Sequence, residues 1–536
     1  MRPGESPDSF DLVLRGGTVY DGTGASPVRA DVGISGDRVA AVGDLSGARA
    51  GRVLDVRGKA VAPGFIDIHT HSDLTVLFTP GMESSLHQGV TSEVVGNCGI
   101  SLGLSLPTEA FSLEQRGTAR AGVTLDWKDL GGFLRRVEEN GVAINVATLA
   151  GHGSLRKRAM GLAARRPDDA EMRNMLSDLE TALEQGAVGL SSGLEYVPGM
   201  YADVEEMVPL ARVAAAAGGF YATHIRDEGD AVEEAVAEAI EVAERAGAPL
   251  QLSHHKAERA RNWGKVARTL AQVDAARERG LDVLLDQYPY TAYQTGLATV
   301  ALPPWAGAGT PEALADRLRH EPDLRERARV AMADNGVDYA SVEIANSPGH
   351  PEYAGRTVAA LAADRGQDPR DFVLDLLAEG EGWVSAAHFA LADADVERIL
   401  SDPRVMVGSD AVASTPLGPN TSDRPHPRTY GTFARVLSRY VREKHVLTLE
   451  EAIRRMTSLP ALRLGWRDRG RLAPGAVADI VVFDPATIAD VATFDAPHVF
   501  PTGIEHVLVA GTLALEGGVA TGARPGRILR RNAAGR

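Results

Sequence analysis

The chain alternates between two textures of apolar and polar positions. Near its start, FDLVLRGGTVYDGTGASPVRADVGISGDRVAAVGDL switches between apolar and polar residues in short runs broken by Gly, Asp and Ser, which predicts hairpin-linked strands. The far end is similar: GRLAPGAVADIVVFDPATIAD and IEHVLVAGTLALEGGVA give short β-branched runs separated by Gly and Pro. Residues 1–62 and 465–536 are therefore expected to pair into one small β-sandwich.

Between them, short apolar runs (VAINVATLAG, AVGLSSG, FYATH, APLQLSHH) alternate with Ala-, Glu- and Arg-rich stretches of helical spacing. In AVEEAVAEAIEVAERAG the apolar positions repeat at that spacing and Gly247 supplies a stop. This βα alternation predicts an α/β fold, a TIM-like (β/α)8 barrel over 63–464, with functional groups at the carboxyl ends of its strands. The rival, an open doubly wound sheet, would want a G-x-G-x-x-G after its first strand, and the sequence has none there. Residues 294–352 interrupt the repeat with Pro, Gly and two short helical stretches, an expected insertion and lid beside the catalytic face.

Length and composition narrow the chemistry. A chain of 536 residues exceeds one hydrophobic core, and 44% hydrophobic with 24% charged residues is ordinary for a globular protein. The formal net charge of −16 argues against nucleic acid or an anionic membrane as partner, leaving small molecules as the expected ligands. The single cysteine cannot form an intrachain disulfide, the first residues lack a secretory pattern, and no apolar run reaches the roughly 18 residues of a membrane span. A cytoplasmic location is expected; the sequence gives no oligomeric state.

Candidate donors follow the apolar runs. APGFIDIHTHSD places His69 and His71 two apart at a strand end, a common arrangement for holding Zn²⁺. FYATHIRDEG adds His224, LQLSHHKAE adds His254 and His255, and VMVGSDAVAS adds Asp410. A barrel gathers such residues from separate strands onto one face. Strand alternation lets only one of the adjacent pair face inward; His254 is taken as the ligand and His255 as its outward neighbour. Asp410 can ligate weakly but suits proton transfer better. Cys98, in SEVVGNCGISLG, follows the next apolar run, and a thiolate there is a zinc donor. Glu195, in GLSSGLEYVPG, is its rival as a bridging anionic ligand, and these observations leave that choice open.

Together, APGFIDIHTHSD, VVGNCGIS, GLSSGLEYVPG, LSHHK, DQYPYTA, VGSD and RPHPRTYGTFARVL make the chain resemble the amidohydrolase superfamily, and within it the zinc-dependent N-acyl-D-amino-acid deacylases, or D-aminoacylases. The resemblance implies a tightly held zinc on Cys98, His224 and His254, and a second, weaker metal position lined by His69, His71, Cys98 and Asp410. It implies hydrolysis of an N-acyl-D-amino acid to a carboxylate and a free D-amino acid by a zinc-activated water, with Asp410 as general base and acid. Lys256, Arg428, Tyr196 and Tyr288 would receive or flank the substrate carboxylate. Related branches bridge two metals with a carboxylated lysine, but Lys128 and Lys157, the lysines between His71 and His224, end no strand-like run. The cysteine is therefore the better bridge.

Three departures from the family pattern touch the substrate side: Tyr293 and Gln294 after YPYTA, Ala411 after Asp410, and the longer STPLGPNTSD before RPHPR. The absence of Arg in TAYQTG disfavours acidic substrate side chains. The alternatives are a cyclic-amide or dipeptide hydrolase of the same superfamily, of the dihydroorotase, hydantoinase or isoaspartyl-dipeptidase kind, and a non-catalytic binding protein on an inherited barrel.

Overall fold

The computed structural model describes residues 9–105, 126–307, 309–380, 383–416 and 423–530. Eight short parallel segments form the barrel: Phe65–Asp67, Val90–Val95, Asn145–Thr148 continued by Ala150–Gly151, Leu190–Gly193, Tyr221–His224, Leu250–Leu252, Val283–Gln287 and Val405–Val407. They are called strands one to eight below. Strands one to three pair in order, strands three to eight pair in order, and a parallel bridge from Thr70 to Ala411 joins the last to the first.

Strand alternation builds two cores. Ile66, Val94, Ala147, Ala222, Leu284 and Met406 form an apolar cluster inside the barrel. Their neighbours Val95, Val146, Tyr221, Leu252, Val283, Leu285 and Val407 pack outward against the helices. The helices obey local rules. Val232–Ala246 buries Val232, Val236, Ala239, Ile240 and Ala243 along one face and stops at Gly247, whose φ of 67° is the left-handed cap predicted from sequence. Asp169–Glu184 starts in a capping box between Asp168 and Glu171.

The two chain ends meet as anticipated. Ala60–Pro63 pairs antiparallel with Ile480–Phe483, joining strands from Ser9–Asp55 to strands from Ile504–Ala520 in one nine-stranded sheet. The region expected as an insertion carries Tyr293–Gly296 and Val342–Asn346; both pair with Ser385–His388, which lies beyond residue 352. This small sheet has its own core, including Leu297, Leu314, Ile344, Leu361 and Phe372.

Candidate metal centre and active site

The strand ends bring the expected donors together. Cys98 Sγ lies 3.4 Å from His69 Nε2, 3.4 Å from His254 Nε2 and 3.8 Å from His224 Nδ1, and the two imidazole nitrogens of His224 and His254 are 2.9 Å apart. Donors at tetrahedral angles around one zinc would be about 3.3–3.6 Å apart. Cys98, His224 and His254 are all buried and fit one ion, with the histidine pair a few tenths of an ångström close. A second group, His69, His71, Cys98 and Asp410, shares the thiol. Cys98 therefore stands between the two candidate positions.

Glu195 takes a different place. Its Oε2 is 2.7 Å from His224 Nε2, the ring nitrogen opposite the one facing Cys98. That contact engages Nε2 and leaves Nδ1 facing the donors, where it can ligate once its proton is displaced. Sequence reasoning missed two carboxylates that stand beside the other rings. Glu228 Oε1 is 3.0 Å from His254 Nδ1, and Asp286 Oδ1 is 3.1 Å from His69 Nδ1. Each carboxylate lies beside the Nδ1 of a ring whose Nε2 faces Cys98, and Lys256 Nζ also approaches His254 Nδ1, at 2.8 Å. The sequence held one signal, since Glu228 and Asp286 both follow or end an apolar run beside a named residue.

Adjacent charges set the electrostatics. Burial pushes the Cys98 thiol up, but His69, His254 and His224 more than offset it and hold the thiol well below its ordinary range. His224 is resisted by burial yet lifted to about 10 by Glu228, Cys98 and Glu195, and His71 is lifted to about 9 against burial by Asp410 and Cys98. Such a thiolate ringed by protonated imidazoles is a site where a divalent cation can displace protons. Asp410, likewise opposed by burial, is held well below the usual carboxylate range by Arg428, His254, His71 and His69. Its Oδ1 is 3.0 Å from His71 Nε2 and its Oδ2 forms an ion pair with Arg428, 2.8 Å from Nη1. It thus spans the metal donors and a guanidinium.

The proposed carboxylate receptors also converge. Arg428 lies 4.7 Å and Lys256 Nζ 5.6 Å from the Tyr288 ring. The Tyr288 hydroxyl is buried and has no hydrogen-bond partner among the described residues. Lys256 donates to Glu228 Oε1 at 2.6 Å. The backbone N–H of Arg428, first residue of the helix Arg428–Arg435, donates to His426 Nδ1 at 3.0 Å; this is the local role of the RPHPR stretch. The Tyr196 ring lies tilted against His224, centroids 4.7 Å apart.

Other residues lie elsewhere. His255 turns away to Thr269 at 2.7 Å, and burial pushes it down to about 4. His152 is locked with Glu206, which also pairs with Arg156. Lys128 is exposed. Tyr293 bonds Glu258 and, at 2.9 Å, His388 Nδ1, so its hydroxyl is engaged by the wall beneath the insertion. Of the STPLGPNTSD stretch, residues 417–422 lie outside the described residues. Close packing at the thiol loop is enforced by Gly193, where a Cβ would fall 2.2 Å from the Cys98 carbonyl oxygen.

Comparison with known proteins identifies relatives along nearly the whole chain. Residues 52–514 match the family model described as the amidohydrolase family. The chain is 45% identical to an N-acyl-D-glutamate deacylase of Alcaligenes xylosoxydans xylosoxydans, covering 98% of both chains. It superposes at a TM-score of 0.82 and 39% identity on the N-acyl-D-glutamate deacylase of Bordetella bronchiseptica, solved with zinc and a phosphonate mimic of the tetrahedral intermediate, covering 98% of this chain and 100% of that one. A D-aminoacylase studied for its binuclear metal centre gives a TM-score of 0.82 at 37% identity, covering 97% of this chain and 100% of the other. The chain belongs to the amidohydrolase family.

Proposed function

We propose that the protein hydrolyses the amide bond of N-acyl-D-amino acids, releasing a carboxylate and a free D-amino acid. The observation that carries this reading is the unsatisfied Tyr288 hydroxyl between Arg428 and Lys256, a receptor for a carboxylate next to a carboxylate base and a set of zinc donors. Cys98, His224 and His254 would hold one zinc tightly, and His69, His71, Cys98 and Asp410 a second more weakly. Zinc held there supplies Lewis acidity to the amide carbonyl and lowers the pKa of water.

The protein's residues do the rest. Arg428, Lys256 and Tyr288 fix the free α-carboxylate, orienting the scissile amide toward the thiolate–histidine group. Tyr196, packed against His224, flanks the substrate. Asp410, kept ionised by Arg428, takes the proton of the attacking water and returns it to the departing nitrogen. Glu228 and Asp286 keep a negative charge beside the His254 and His69 rings through the cycle. Among the described residues no helix is long and apolar enough to cross a membrane, and a thiolate donor survives best in a reducing compartment; this supports work in the cytoplasm on a small N-acylated amino acid.

Product release from matched N-acetyl-D- and N-acetyl-L-amino acids by the zinc-loaded protein tests the reading. Release from D-forms alone is expected. Equal release from both enantiomers, or hydrolysis of cyclic amides in preference to either, would overturn it.

A further inference from the structure

On the barrel face opposite the metal donors, the loops that begin strands five to eight line a separate, half-open cleft of about 570 Å³. Phe220, Pro249, Asp282 and Arg404 each stand one residue before one of those strands, and the helix Ser458–Leu464 covers them. The volume lies in the range of small-molecule sites.

Its lining is cationic on one side and apolar on the other. Arg277, Arg404, Arg454 and Arg463 all face this space, and Asp282 is the acidic side chain in the lining. The carboxylates that balance the other arginines sit behind them: Asp402 and Asp274 pair with Arg404, and Glu451 with Arg454 at 2.7 Å. Arg463 is 2% exposed, while its carboxylate partner, Asp282 at 3.1 Å, is 61% exposed. Burial holds the Arg463 guanidinium below its ordinary range, so its charge is carried at a cost in solvation. Arg277 keeps only a 4.0 Å contact with Asp282 and donates to Val283 O at 2.8 Å. Its side chain and that of Arg454 remain 41% and 21% exposed. Phe220, Leu284 and Leu459 supply the apolar floor, and Leu462, 72% exposed, stands at the rim.

We propose that this cavity binds a small organic carboxylate with a short apolar chain, Arg277 and Arg454 meeting the carboxylate and Phe220 and Leu284 receiving the chain. Guanidinium groups suit a carboxylate through paired, charge-assisted hydrogen bonds. Inorganic phosphate would satisfy the arginines but leave the apolar floor unused, and an alkylammonium would meet the wrong charge.

Calorimetric titration of the zinc-loaded, full-length protein at fixed ionic strength tests this with hexanoate, hexylammonium and inorganic phosphate. The metal centre also attracts carboxylates, so the readout is the difference between the unaltered protein and the double variant Arg277→Gln, Arg454→Gln. Hexanoate binding should contain a class of sites weakened at least tenfold in the double variant, which should still turn over substrate. Asp282→Asn, which removes the lining's acid, should tighten the same class about threefold. Indistinguishable hexanoate isotherms for the double variant and the unaltered protein would overturn the proposal. Hexylammonium or phosphate binding at this site as tightly as hexanoate would do the same. Should the double variant fail to fold, Asp282→Asn decides alone, and unchanged or weaker hexanoate binding refutes the site.

Discussion

Asp410→Asn separates proton transfer from metal binding. The substitution keeps the shape of the side chain: its remaining oxygen can accept from Arg428 Nη1, now 2.8 Å from Oδ2, and its amide can meet a neutral His71, now 3.0 Å from Oδ1. What it removes is the group that accepts and returns a proton. Positioned acid–base groups contribute about 10²–10⁴ in rate, and each tenfold is about 1.4 kcal/mol, so kcat should fall about 10³-fold, or about 4 kcal/mol. Cys98, His224 and His254 form a metal group without Asp410, so at least one zinc per chain should remain by elemental analysis. KM should stay within about threefold, because Arg428, Lys256 and Tyr288 still fix the carboxylate. A kcat within tenfold of the unaltered enzyme, with zinc retained, would refute the role. Loss of all zinc together with activity would refute the separation of the two metal groups.

Two further substitutions probe the supporting residues. Glu228→Gln removes the carboxylate that orients His254 Nδ1 at 3.0 Å and should weaken zinc binding about 10–100-fold in competition with a chromophoric chelator; unchanged affinity would mean that the contact does not tune the donor. Arg428→Met should lower kcat/KM about 10–150-fold for an N-acyl amino acid, mostly through KM, and leave an acyl amide without a carboxylate nearly untouched. Burial pushes Asp410 up and Arg428 is the leading group that pulls it down, so the same variant should move the acid limb of the pH–rate profile to higher pH; a limb that stays or falls would contradict the ion pair's role.

Local chemistry made much of the fold legible. Gly247 ends its helix where the apolar spacing runs out, because a left-handed cap without a Cβ is a property of a few neighbouring residues. The eight barrel strands could be read as apolar runs for the same reason. The strand Ser385–His388 was not legible, since WVSAAHFA gains its partners from Tyr293–Gly296 and Val342–Asn346, far away in sequence. The site divides along the same line. His69, His71, Cys98, His224, His254 and Asp410 carry metal or proton chemistry in their own side chains and follow apolar runs. Glu228 and Asp286 resemble ordinary acids until strand adjacency sets them against particular ring nitrogens. Tyr293 was expected to shape the substrate pocket, but whether a tyrosine faces a ligand or a wall depends on what Glu258 and His388 offer it.

Why His254 rather than His255 faces the donors shows how far alternation carries. Ala222 and Leu284 point into the barrel, and both lie in register with Gln251, so Gln251 and Ser253 should point inward and His254 outward. The structure reverses this at one residue: His254 has φ 33°, in the left-handed region, and its imidazole swings toward Cys98. Cys98 and Asp410 share the feature, each with φ 51°. Such conformations cost non-glycine residues about 1–3 kcal/mol each and persist where the surroundings impose them. Here the surroundings are visible. The Asp286 carboxylate accepts from the His254 N–H at 2.8 Å, the His69 carbonyl accepts from the Asp410 N–H at 2.8 Å, and Gly96 and Gly99, both at positive φ, bracket Cys98. The same Asp286 lies 3.1 Å from His69 Nδ1, so one buried carboxylate holds a backbone against its preference and places its charge beside a ligand. The barrel's packed core offsets the strain, and the donors converge because the strand ends are not free to relax.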